Sequence, residues 1–175
     1  MGGMIAQIVA AQYPHRTRSL AVIFSSNNRA LLPPPRPKQL FALLNKPKDA
    51  SVEAILDNSV RIGRLIGSPG YPATEAKLRA DAVRYYERCY YPAGVIRHFG
   101  AVLGSGSLRH HDRRITAPTV VIHGLADKLM PPSGGRAVAR AIPDARLVTY
   151  PGMAHDLPEP LWDSLVATLR GNFAS

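Results

Sequence analysis

Two hydrophobic patterns alternate along this chain. Leu20 to Phe24 is a fully apolar run, and Thr119 to Ile122 is β-branched, as is typical of strands buried in a parallel sheet. Residues 146–150 form a third strand, separated from the second by a segment of helical character. Because a strand, a helix and a strand at this spacing form a βαβ unit, the pattern predicts an α/β fold with a parallel sheet of about three strands.

Apolar residues at helical spacing predict the helices that accompany these strands. Residues 1–12 are apolar on nearly all sides, so this first helix is expected to be buried, and Tyr13-Pro14 ends it. A helix over 133–142 has Ser133 as its expected N-cap. One face of a C-terminal helix is marked by Leu161, Trp162, Leu165, Val166 and Leu169.

The middle of the chain has a different organisation. Residues 39–104 are helical in character, and Gly67–Pro72 divides them into two parts. A proline-rich stretch at 33–37 predicts a stiff, extended connection in front of them. We therefore interpret residues 1–28 and 113–175 as an α/β core and residues 29–112 as a helical cap.

Composition narrows the class of protein. The net charge is +10, which attracts polyanions in general, but the arginines are scattered and no nucleic-acid-binding motif is present. No apolar run approaches the ~18 residues of a membrane span. Cys89 is the only cysteine and is expected to pack within a helix, and a reducing compartment is the simplest assumption. We expect a cytoplasmic protein that binds neither nucleic acid nor membranes.

Two polar residues follow the ends of neighbouring predicted strands. Asp127 lies four residues after the strand that ends at His123, and His155 lies five residues after the strand that ends at Tyr150. If these strands are adjacent, both side chains lie at the same rim, where sites form in parallel sheets. A buried carboxylate beside a histidine fixes its tautomer for proton transfer. The alternative is a helix-capping aspartate and an unrelated surface histidine.

Longer motifs surround these two residues. Residues 118–127, Pro-Thr-Val-Val-Ile-His-Gly-Leu-Ala-Asp, resemble the acid-bearing segment of the α/β-hydrolase superfamily, and residues 151–158, Pro-Gly-Met-Ala-His-Asp-Leu-Pro, resemble its histidine segment. Met-Gly-Gly-Met at 1–4, before an apolar helix, resembles the segment after the nucleophile in a G-x-S-M-G-G elbow. Tyr-Pro-Ala-Gly at 91–94, with Arg97 and the segment 113–118, is similar to aclacinomycin-methylesterase-like esterases.

This resemblance implies a serine esterase that acts on small-molecule carboxylic esters without a cofactor or a metal. His155 would be the base and Asp127 its orienting acid. The nucleophilic serine and the first strands of the sheet would precede Met1, leaving a remnant of the parallel sheet. Met1 matches the residue whose backbone N–H completes the oxyanion hole, although its nitrogen is a terminal amine here. We therefore expect little esterase activity from these 175 residues alone.

Two alternatives stay open at this point. Ser25 and Ser26 follow the first strand and could act as stand-in nucleophiles near the same rim, displaced from the elbow by about the 4.8 Å that separates adjacent strands. A non-catalytic interaction module is the second alternative. In that case the apolar strand Leu20–Phe24 would form an open edge that pairs with another copy of the chain or with a partner.

Overall fold

The computed structural model of this protein describes residues 1–174, and a three-stranded parallel sheet lies at its centre. The strands are β1 (Leu20–Ile23), β2 (Thr119–Gly124) and β3 (Arg146–Tyr150), in the order β1-β2-β3. Leu20 pairs with Thr119, and Val120 pairs with Arg146, so all three strands end at one rim. The predicted α/β fold is confirmed, and β1 is an edge strand of the described sheet.

Helices cover both faces of this sheet and form the insertion between β1 and β2. The α-helices within residues 1–174 are α1 (Gly2–Gln12), α2 (Pro37–Leu44), α3 (Val52–Ile66), α4 (Glu75–Cys89), α5 (Pro92–Gly104), α6 (Arg109–Asp112), α7 (Pro132–Ala141) and α8 (Trp162–Phe173). Short 3-10 helices occupy Pro14–Arg16 and Glu159–Leu161. α1 and α7 pack on one face with Val22 and Val121, and α8 packs on the other with Val120 and Ile122.

The α2–α5 insertion has a small core of its own. α3 packs against α4 through Leu56, Val60 and Ala82. Ser51 and Thr74 begin these helices as true N-caps, because their hydroxyls accept hydrogen bonds from backbone N–H groups of the first turn. The break predicted between the two helical parts coincides with the segment between α3 and α4. We call residues 66–70, the last residue of α3 and the four that follow it, the cap turn.

Three expectations from the sequence are wrong. α1 is not buried all round, because it packs through Met4 and its neighbours while Ile5 and Val9 stay about half exposed. α7 begins at Pro132, and the buried hydroxyl of Ser133 has no hydrogen-bond partner among residues 1–174, so it is not the N-cap. Cys89 is exposed at the end of α4 rather than packed.

Candidate active site

Asp127 is a buried carboxylate just beyond β2. Its Oδ1 accepts hydrogen bonds from the backbone N–H of Leu129 at 2.9 Å and of Met130 at 2.8 Å. Its Oδ2 lies 2.8 Å from Nδ1 of His155. A carboxylate held by three donors has a fixed position, which is what a histidine needs from its orienting partner. The contact shows that the aspartate and the histidine are not unrelated, while Asp127 also caps the turn that follows it.

His155 lies on the segment after β3, residues 151–157, which we call the histidine loop. Its side chain is about a quarter exposed, with 27% of its surface accessible. Because Nδ1 donates to Asp127, Nε2 has the lone pair, and it has no hydrogen-bond partner among residues 1–174. The ring of Phe24 packs against the imidazole with a centroid separation of 5.3 Å. The predicted contact of acid and histidine is confirmed, and their catalytic roles stay predictions.

His123 lies beside this pair, fully buried at the end of β2. Burial lowers its pKa and so favours the neutral ring, and its Nε2 donates to the carbonyl of Met130 at 2.8 Å. The distance from Nε2 of His123 to Oδ2 of Asp127 is 3.7 Å, too long for a hydrogen bond. His123 therefore supports the turn that holds Asp127 and does not compete for its carboxylate.

The N-terminus of α1 lies near the same rim. A Cβ added to Gly3 would lie 2.5 Å from the Cβ of Ser25, so the first turn of α1 touches the chain just after β1. Burial lowers the pKa of the Met1 amine, although part of this residue is exposed. The positive end of the helix dipole thus lies beside the carboxyl ends of the strands.

Neither candidate stand-in nucleophile is hydrogen-bonded to His155. Ser25 and Ser26 are buried, with 3% and 6% of their surfaces exposed. The hydroxyl of Ser26 accepts from the N–H of Asn28 at 3.3 Å, and that of Ser25 lies 3.5 Å from the carbonyl of Ser26. The chain turns sharply at Phe24, where φ is +51°, and this turn brings the phenyl ring to His155.

A cavity of about 1090 Å³ opens between the histidine loop and helices α3 and α4. Its lining includes His155, the aromatic residues Phe24, Tyr71, Tyr85 and Trp162, and the charged residues Lys77, Asp81, Arg84 and Glu159. Lys77 bridges the two sides of this opening, since its ammonium lies 2.5 Å from Asp81 in α4 and 3.8 Å from Glu159 beyond the histidine loop. The cavity gives His155 access to a bound molecule of small size.

Neither a metal site nor a membrane span accompanies this arrangement in the described part of the chain. In residues 1–174 no three or more His, Cys, Asp or Glu side chains are placed so that they could hold a metal ion, and this includes the neighbouring His110, His111 and Asp112. None of the helices there is both long enough and apolar enough to cross a bilayer. Sequence reasoning missed Phe24 and Ser68, which lie far from the motifs that identified the acid and the histidine.

Comparison with known proteins identifies the family of this chain. The model of the serine aminopeptidase S33 family matches residues 1–159. The chain is 26% identical over 158 residues to a pimeloyl-[acyl-carrier protein] methyl ester esterase of Chromobacterium violaceum, covering 89% of this chain and 60% of that protein. It is 27% identical over 195 residues to rhodomycin D methylesterase of Streptomyces peucetius, covering 97% and 63%. The chain thus spans less than two thirds of the length of these relatives.

Solved structures show the same fold at lower identity. A 2-hydroxy-6-oxo-6-phenylhexa-2,4-dienoate hydrolase from a Rhodococcus species superposes with a TM-score of 0.69 at 18% identity, over 100% of this chain and 62% of its own. The enol-lactonase of Burkholderia xenovorans gives a TM-score of 0.66 at 19% identity, with coverages of 100% and 63%. These structures show the fold, and the family model that matches residues 1–159 confirms the predicted superfamily: the chain belongs to the serine aminopeptidase S33 family of α/β-hydrolases.

Proposed function

We propose that this chain provides the acid and the base of a serine esterase that acts on small-molecule carboxylic esters. The observation that supports the proposal best is the 2.8 Å contact between Nδ1 of His155 and the buried carboxylate of Asp127. It leaves Nε2 as a proton acceptor beside an open cavity. The methyl ester esterases among the relatives indicate the ester class.

In the proposed reaction, Nε2 of His155 takes the proton of a serine hydroxyl as its oxygen attacks the ester carbonyl. The imidazolium formed is stabilised by Asp127, and it then gives the proton to the departing alcohol. Water attacks the acyl-enzyme in the second half of the cycle, with His155 again acting as base. The start of α1, with the backbone nitrogen of Met1, is the proposed donor to the oxyanion.

The nucleophile in this proposal comes from outside the described residues. Ser25 and Ser26 are buried, and their hydroxyls interact with backbone groups and not with His155. A proton acceptor without a nucleophile forms no acyl-enzyme, so residues 1–175 by themselves are expected to show little ester hydrolysis. Without triad function only ~10³–10⁴-fold catalysis over water is left in well-formed sites.

An assay with a short-chain nitrophenyl ester tests this proposal in two forms of the protein. Residues 1–175 are compared with a longer form in which a Gly-x-Ser elbow and its supporting strands precede Met1. We expect turnover only in the longer form, reduced at least ~10³-fold by His155→Ala. His98→Ala is the matched control, because His98 is an exposed histidine of α5. Turnover by the short form that depends on His155 would contradict the need for an external nucleophile.

A second candidate function, a non-catalytic interaction module, is supported by the exposed surface around β1. This strand is an edge of the described sheet, and Met1, Ile5 and Val9 of the adjacent α1 are each 41–51% exposed. An open apolar edge favours pairing with another chain. Absence of ester hydrolysis in both forms, together with stable self-association of residues 1–175, would favour this function over the esterase.

A further inference from the structure

The cap turn lies directly against the histidine loop. The backbone N–H of His155 donates to the carbonyl of Ile66 at 3.0 Å, and the N–H of Gly70 donates to the carbonyl of Gly152 at 3.0 Å. A Cβ added to Gly70 would lie 2.8 Å from the Cα of Gly152, so the two backbones are in contact. The cap turn and the histidine loop, which are distant in the sequence, are therefore hydrogen-bonded to each other next to His155.

Ser68 is the side chain at the centre of this contact. It is buried, with 3% of its surface exposed. Its hydroxyl accepts from the N–H of Ala154 at 2.8 Å and donates to the carboxylate of Asp156. One hydroxyl thus binds the residues immediately before and immediately after His155.

Backbone hydrogen bonds from the residues that follow β2 reach the histidine loop only as far as Met153. The N–H of Leu125 donates to the carbonyl of Tyr150 at 3.0 Å, and the N–H of Ala126 donates to that of Met153 at 2.9 Å. Beyond Met153, the next two backbone N–H groups donate to the cap turn. The backbone N–H groups of Ala154 and His155 are therefore held by the cap turn, while the end of β2 packs against the same loop at Gly124.

We propose that Ser68 is a positioning residue that holds His155 against Asp127, so that the cap sets the geometry of the base. This inference rests on the proposed function, because it concerns the same histidine. Ser68 does not touch a substrate in this proposal and acts only through the backbone of the histidine loop. Because the cap turn joins α3 to α4, which line the cavity, a displacement of these helices by a bound molecule also displaces the histidine.

The inference can be tested on residues 1–175 by NMR, without any requirement for catalysis. Ser68→Ala removes both hydrogen bonds of the hydroxyl, and Ser68→Thr keeps a hydroxyl at the same position. Ser105→Ala is the matched control, because Ser105 is exposed and its hydroxyl donates to the carbonyl of Ala101 within α5. The measurements are the hydrogen exchange of the Ala154 and His155 amides and the resonance of the His155 Nδ1 proton.

We expect Ser68→Ala to accelerate exchange of these two amides about tenfold, because a buried hydrogen bond is lost, and to broaden the Nδ1 proton resonance. Ser68→Thr should restore both signals, and Ser105→Ala should change neither. If Ser68→Ala behaves like Ser105→Ala, the proposal is overturned. If it unfolds the sheet as well, Ser68→Cys decides, because a thiol of similar size is a weak hydrogen-bond donor and acceptor. Unchanged loop signals in Ser68→Cys would then overturn the proposal.

A kinetic measurement separates this inference from the proposed function. In the longer form that carries the elbow, Ser68→Ala should lower kcat about tenfold or more while KM stays within about twofold, because a misplaced base affects the chemical step. A purely structural role would instead lower the amount of folded enzyme and leave both constants of the folded fraction unchanged. If the longer form shows no esterase activity, the proposed function fails while the NMR result still decides the positioning role.

Discussion

Asp112 gives a prediction whose size follows from its surroundings. It lies fully buried in α6, where the cap returns to the core, and its Oδ2 accepts from Nδ2 of Asn27 at 2.8 Å. Its Oδ1 has no hydrogen-bond partner among residues 1–174. Burial raises the pKa of Asp112 from 3.8 to about 6, and the hydrogen bond from Asn27 offsets only part of this effect.

The shift predicts a loss of stability as the pH rises. The pKa of Asp112 is raised on folding, so its contribution to stability is complete below the unfolded value of 3.8 and is lost as the pH rises through about 6. Each pKa unit corresponds to about 1.36 kcal/mol, so a shift of about two units is worth about 3 kcal/mol. Above about pH 6 the folded protein holds a buried, partly unpaired carboxylate at this cost.

Asp112→Asn removes the charge and keeps an oxygen for Asn27. Urea unfolding at about pH 4 and about pH 7.5 should show that the variant gains about 2.5 kcal/mol relative to the wild type between the two conditions, since pH 4 already lies slightly above the unfolded pKa. Asp163→Asn is the control, because Asp163 is an exposed carboxylate of α8, and its difference from the wild type should stay within about 0.5 kcal/mol. A gap between Asp112→Asn and the wild type that is the same at both pH values would refute this reasoning.

Three further predictions concern the acid, the sheet and its edge. Asp127→Asn should place an amide N–H donor opposite Nδ1 of His155 and so favour the tautomer that has its proton on Nε2. The 15N chemical shifts of the imidazole report the tautomer, and shifts equal to those of the wild type would contradict this prediction. Val121→Ala should lower the free energy of unfolding by about 2–3 kcal/mol because this side chain is fully buried in β2, whereas exposed Val166→Ala should change little in the same urea titration. Ala21→Pro should convert self-associated protein to monomer in light scattering, because proline has no backbone N–H to offer a strand that pairs with the outer edge of β1. A wild-type protein that is already monomeric would count against edge pairing.

The sequence alone was sufficient to predict the layout that carries the acid and the histidine. Apolar and β-branched runs predicted the parallel strands because a strand buried on both faces has no polar positions to expose. The short offsets of Asp127 and His155 from the ends of these strands then predicted that they meet. Such offsets are informative because neighbouring parallel strands end at a common rim, and only a few residues separate each side chain from it.

The sequence pattern alone did not predict how much of α1 is buried. Its composition predicted a helix surrounded by protein, but only one face of it packs against β1 and α6. Periodicity reports which residues are apolar, and it does not report whether a second surface is present to cover them. The exposed fractions of Ile5 and Val9 are decided by the elements that lie next to the helix.

Tertiary structure alone decided which residues surround the base. Phe24 contacts His155 across 131 positions of the chain, and Ser68 contacts Ala154 and Asp156 across 86 and 88. No sequence periodicity predicts these contacts, because they depend on how the α2–α5 insertion packs against the sheet. A serine in a turn has the same local sequence signature whether its hydroxyl faces water or holds the loop of a histidine, and only the packing of two distant segments distinguishes these environments.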